Sequence, residues 1–173
     1  MHQKVNGIIV VLGALCFASA CGSAPPPAVR AAGVAHLQCD PSAAGQDSLV
    51  ASTKVLRVEP IYSHVLSSRD DGEERVVGAK LLIRPPPGVG AEEMTRILQC
   101  HSARVLLGQL NPDAVQNDPY RLPDSWVDIQ VKPEDGNLAV TVSADSVHGN
   151  LQVYSRASRY GDDHLLATDP GLP

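Results

Sequence analysis

From Lys54 to Tyr62 apolar and polar side chains alternate, with Leu56 and Val58 on one side and Arg57 and Glu59 on the other. That alternation predicts a half-buried strand. A second strand follows, in which Val77, Ala79, Leu81 and Ile83 line one face and Lys80 and Arg84 the other. The polar run Ser67 to Glu74, with Asp71-Gly72 inside it, suits the hairpin between them. Pro85-Pro86-Pro87 ends the strand, because proline has no N–H to give to a ladder.

The period then changes. Met94, Ile97, Leu98, His101 and Val105 recur at helical spacing, which predicts a helix over 91–107. Glu92 and Glu93 favour its N-terminal dipole, and Gly108 is placed to end it. Alternation resumes at Val127, Ile129 and Val131 against Asp128, Gln130 and Lys132. A turn over Pro133 to Asn137 brings back Leu138, Val140 and Val142. A last helix is expected from an Asp145 cap through Val147, Leu151 and Tyr154 to Tyr160, against the preferences of Gly149, Val153 and Tyr154. The order β-β-α-β-β-α predicts an α+β two-layer sandwich: a four-stranded antiparallel sheet with its helices on one face.

The first residues carry a different message. Lys4 and the N-terminal amine precede an apolar segment from Gly7 to Ala18, too short to cross a hydrocarbon core of about 30 Å. Small residues follow, ending Ala18-Ser19-Ala20-Cys21. This arrangement resembles the signal peptide and lipobox of bacterial lipoproteins, with Ala18 standing where leucine is usual. Cys16 is a poorer match, because Leu15 is bulky for the position before an acylated cysteine. The resemblance implies removal of residues 1–20, a diacylglyceryl group and an N-acyl chain (such as palmitate) on Cys21, and attachment to the cell envelope. Gly22 in place of aspartate implies the outer membrane, facing the periplasm. Residues 21–48, with Pro25-Pro26-Pro27 and an aperiodic Ala/Gly/Ser-rich stretch, read as a lipidated tether. A single domain is expected over 49–160 and a loose tail over 161–173.

Composition narrows the partners. Without residues 1–20 the chain has 13 basic and 19 acidic side chains, a net of −6, and no phenylalanine. An acidic surface without basic blocks or stacking platforms excludes nucleic acid as a partner. No cofactor motif is present: Gly88-Val89-Gly90 lacks the further glycine and lysine of a phosphate cradle, and the acidic clusters lack calcium-loop spacing.

With Cys16 removed and Cys21 acylated, Cys39 and Cys100 remain, and an oxidising compartment predicts that they pair. The alternative is a metal-handling or thiol-redox site built from His36, Cys39, Cys100 and His101, a ligand set suited to zinc or copper(I). Adjacent Cys100 and His101 diverge by roughly 100° on a helix, which opposes a shared ion. His101, central in an apolar stripe, is expected as a core histidine with one hydrogen bond satisfied. A hydrolase would need a nucleophile and an orienting acid beside it, and Ser102 is only its sequence neighbour. The long connection 108–124 is aperiodic, and loops of that kind are often functional. Tyr120, Arg121 and Trp126 at its end are residue types enriched in interfaces, so they are the expected contacts for another envelope protein or a peptide. The leading expectation is therefore a non-enzymatic, membrane-anchored binding or structural module.

Overall fold

The computed structural model describes residues 24–40, 46–65, 73–110, 117–122 and 125–166. The export segment with Cys21, the hairpin tip 66–72, part of the 108–124 connection and the last residues, 167–173, lie outside them. Eight elements follow in order: α1 (Pro27–Gln38), α2 (Gln46–Ser52), β1 (Val55–Val65), β2 (Glu73–Ile83), α3 (Ala91–Leu106), β3 (Val127–Glu134), β4 (Asn137–Ala144) and α4 (Val147–Leu166). The strands form one antiparallel sheet in the order β1-β2-β4-β3. The two hairpins thus lie side by side, as an α+β sandwich requires.

One sheet face is covered by α3 and α4. Ala79, Leu81 and Ile83 of β2, Val127 and Ile129 of β3, and Leu138, Val140 and Val142 of β4 join a single buried cluster. Met94, Ile97 and Leu98 of α3 and Val153, Ala157 and Tyr160 of α4 complete it. The other face is polar. Lys80 of β2 reaches Glu134 of β3 at 2.7 Å, and Arg57 of β1 pairs with Glu59 at 3.0 Å. Sheets with one solvated face show this in/out alternation. In β1 a register shift between Val55 and Arg57 makes Val55, rather than Leu56, the fully buried residue. A bulge of that kind moves side chains between faces and escapes a strict alternating count.

Local signals set the helix and turn boundaries. The N–H groups of Gly108 and Gln109 donate to the carbonyls of Val105 and Arg104, closing α3 with Gly108 at φ +68°. This is the Schellman arrangement, which favours glycine at that position. The second hairpin is tighter than expected: strand continues through Glu134, and only Asp135-Gly136 turn, both at positive φ. At the start of α4 the Ser146 hydroxyl accepts from the Gly149 N–H at 3.0 Å, so Ser146 is the cap and not Asp145.

Two boundaries need correction. The stretch 21–48 contains a helix of 12 residues, α1, and the beginning of α2, so it is not an extended tether throughout. Pro27 stands at the first helical position, where a missing N–H costs nothing and φ is pre-set. The alanine-rich run behind it is good helix former but offers little apolar contrast, which hid it. At the other end α4 continues past Tyr160 to Leu166, and Gly161 is buried against Val58 of β1. The expected tail therefore starts inside a packed helix. Among the described residues no helix is long and apolar enough to cross a membrane.

Candidate functional site

Helix α3 has two buried faces. Its sheet-facing stripe is the one legible from apolar spacing; the opposite side presents Cys100, Ala103, Leu106 and Leu107. Against this second side lies α1, with Ala31, Ala103 and Trp126 buried together and Val34, Leu106 and Leu107 packed around them. Alanine facing alanine lets the two backbones approach closely. Three further links hold α1. Cys39, just past its last turn, is disulfide-bonded to Cys100, with the Cα atoms 5.5 Å apart. Arg96 of α3 donates to the Gln38 carbonyl at 3.3 Å, satisfying one open group at the end of α1. Arg30 reaches Asp128 at 2.9 Å and Asp145 at 3.0 Å, and its guanidinium lies 5.1 Å from the centre of the Trp126 ring. The Trp126 indole N–H donates to the same Asp128 at 3.0 Å.

This answers the expectations placed on the aromatics. Trp126 meets a partner, but the partner is α1 of its own chain. Tyr120 is 1 % exposed and Trp126 6 %, so neither ring is offered to another molecule, and Arg121 is half-buried. The partner surface expected at Tyr120, Arg121 and Trp126 is thus corrected. These side chains close the core under the connection, with Tyr120 edge-on to Tyr160 at 6.2 Å. Burial pushes both phenols up. Tyr120, Trp126 and Tyr160 are drawn inward because each removes so much apolar area from water, whereas Tyr62 on β1 stays exposed.

A charged cluster sits beneath. His101, 3 % exposed, faces two carboxylates: Asp118 at 2.6 Å from Nε2 and Asp47 of α2 at 2.9 Å from Nδ1. Asp118 is fully buried and also accepts the Tyr120 backbone N–H at 2.8 Å, a turn that fixes its carboxylate. Asp47 in turn takes Arg104 at 3.1 Å. Burial by itself would lower the His101 pKa; the hydrogen bonds and charges of Asp118 and Asp47 outweigh it, and the net shift is upward. The imidazolium with both N–H groups donating is the form this site favours. It ties α2, α3 and the 117–122 segment together. Where one hydrogen bond was expected there are two, and Asp47, Arg104 and Asp118 were not singled out from the sequence. The signal was a histidine at the centre of an otherwise apolar stripe, which demands polar company once buried.

The same geometry bears on the chemistry expected at these residues. Both His101 nitrogens are engaged by carboxylates, leaving neither to accept a proton from a hydroxyl, and the buried Ser102 Oγ has no hydrogen-bond partner among the described residues. The soft-metal set is not assembled either: Cys39 and Cys100 are bonded to each other, His36 is exposed, and His101 is committed to Asp47 and Asp118. Among the described residues no group of three or more His, Cys, Asp or Glu side chains is arranged to hold a metal ion; Asp47 and Asp118 meet opposite nitrogens of the His101 ring. Open grooves flank α1: one of about 760 Å³ lies between Leu37 and Gln38 and the first turns of α3, and one of about 350 Å³ lies between Val29, Gly33 and Leu37 and the Trp126–Asp128 segment. What the fold and this site define is a disulfide-locked α+β sandwich with an extra helix clamped behind α3. Comparison with protein-family models, curated proteins and solved structures gave no match to the chain.

Proposed function

We propose that this protein is a membrane-anchored envelope lipoprotein, acylated at Cys21, whose domain serves as a non-enzymatic binding or structural module. The observation that carries the reading is the Ala18-Ser19-Ala20-Cys21 sequence directly behind a short apolar segment. The disulfide supports it, since a bond such as Cys39–Cys100 forms and persists in oxidising compartments, of which the cell envelope is one. The clamping of α1 supports it too: the element nearest the anchor is fastened to the domain by a covalent bond and a charge cluster. Several acyl chains hold a protein firmly, at about 0.8 kcal/mol per buried methylene. The test is the intact mass of the protein extracted from membranes of a bacterial host. Acylation predicts a chain beginning at Cys21 with a diacylglyceryl and an acyl mass added, and a Cys21→Ala variant lost from the membrane fraction. A mature chain carrying no lipid would sink the anchoring.

A further inference from the structure

Helix α1 uses one side to dock on α3 and leaves the other bare. Val29, Ala32, Gly33, His36 and Leu37 recur at helical spacing along that outer side, and all are exposed. Val29 is 58 % and Leu37 79 % exposed, high values for large apolar side chains. Ala32, Val29 and Gly33 carry no charge, and Arg30 is paired with Asp128 and Asp145; the charged neighbours stand at the margin, with Arg30 and Asp128 beside Val29 and Leu37 on one side and Glu92 and Glu93 beyond Leu37 on α3. What covers it is indicated by the chain that leads to it. Five residues, Gly22 to Pro26, separate Cys21 from the first residue of α1. Even fully extended, that link spans no more than roughly 20 Å.

We propose that the outer stripe of α1 rests on the lipid surface to which Cys21 is attached, seating Val29 and Leu37 at the headgroup–acyl boundary. The inference rests on the acylation of Cys21 proposed above. With the anchor so close, the stripe is presented to the bilayer at high effective concentration, and a contact too weak to recruit a free protein is enough to orient a tethered one. Ala32 and Gly33 add no bulk between Val29 and Leu37, so the helix can lie flat. The absence of a basic cluster on the stripe fits a zwitterionic surface rather than one recognised by charge. Because α1 is locked to α3 by Cys39–Cys100, the contact orients the entire domain, with the sheet's open polar face directed elsewhere.

The test attaches the anchor chemically, so that it does not depend on acylation in the cell. In residues 21–173 with the disulfide intact, Cys21 is the free thiol, and it couples to a maleimide lipid in phosphatidylcholine vesicles. A Leu37→Trp variant places an indole on the stripe; Leu151→Trp, at an exposed position of α4, is the control, and the emission of the native Trp126, measured in the parent protein on the same vesicles, is subtracted from both. With brominated acyl chains the Leu37→Trp emission should fall by roughly half, as expected for an indole about 5–10 Å into the interface. Leu151→Trp should keep the intensity it has without bromine. Adding Val29→Asp to Leu37→Trp should abolish the quenching while the circular dichroism stays unchanged. Equal intensity with and without bromine at Leu37→Trp overturns the proposal, as does equal quenching at both positions. Protection of the stripe by self-association, seen in sedimentation as a dimer, overturns it in favour of a second copy. An unlipidated native Cys21 is read separately from the intact mass and removes the anchoring reading, not the vesicle result.

Discussion

His101 joins the fully buried Asp118 carboxylate to Asp47 of α2 through both of its ring nitrogens. Replacing it by alanine removes the hydrogen-bonded cation from the buried Asp118 carboxylate, and breaking such a pair costs about 3–5 kcal/mol. Denaturant unfolding of His101→Ala should show a loss of that order; a loss below about 1 kcal/mol would mean that Arg156, whose charge also acts on Asp118, and water compensate fully. The pH dependence has a definite sign. Since Asp118 and Asp47 raise the folded-state pKa above the ordinary value of 6.5 despite burial, the cluster's contribution is complete below about pH 6.5. It is lost as pH climbs through the raised value. Melting temperature should therefore decline from mildly acidic into alkaline solution, and a His101→Gln variant should lack that component. Gly78 is the other residue with a sharp expectation. It has φ +153°, and a Cβ there would stand 2.3 Å from the Val142 carbonyl oxygen. Gly78→Ala should destabilise by about 1–3 kcal/mol, with amide-exchange protection lost first where β2 meets β4.

Both N-terminal helices, α1 and the shorter α2, depend on contacts from elsewhere in the fold. A 12-residue helix is marginal in isolation, so its persistence rests on docking to α3. The Cys39–Cys100 link spans 61 residues, worth about 4 kcal/mol in the chain-entropy model. Replacing both cysteines by serine should lower stability by about that amount and raise amide exchange most in α1. Should α1 exchange no faster than α3 in that variant, the disulfide is not what holds it. Arg30→Ala should weaken the same docking to a smaller extent, because Asp128 and Asp145 are half-exposed and surface pairs contribute about 0–1 kcal/mol. The strands, α3 and the existence of α4 were readable from periodicity alone, since each lays one apolar stripe on a core. Helix α1 was not, because its inner face is alanine and valine and its hold on the domain is a disulfide and an arginine. The continuation of α4 beyond Tyr160 was hidden too: His164 and Tyr160 serve α2, through the Ala51 and Val50 carbonyls at 3.1 and 2.9 Å, rather than an apolar stripe.

At the scale of the whole molecule, one end of the chain brings a short link to Cys21 directly into a clamped helix, and the domain is built outward from it. If acylation and the α1 contact both hold, the protein should be oriented on the membrane as well as attached to it. The sequence by itself determined the α+β class, the two hairpins, the helix between them and the proposed export and lipidation signal; it left Cys39 and Cys100 between a disulfide and a metal site, and the fold brings them together across 61 positions. The periods and the signal are local and need no distant parts of the chain to be brought together. Only the tertiary structure decided the rest: that Trp126 serves α1, that Asp47 and Asp118 converge on His101, and that a stretch resembling a linker is a docked helix. Those outcomes depend on residues 54, 17 and about 100 positions apart meeting in space. Side-chain spacing along one segment carries no record of such meetings, because burial and charge compensation are properties of the packed chain.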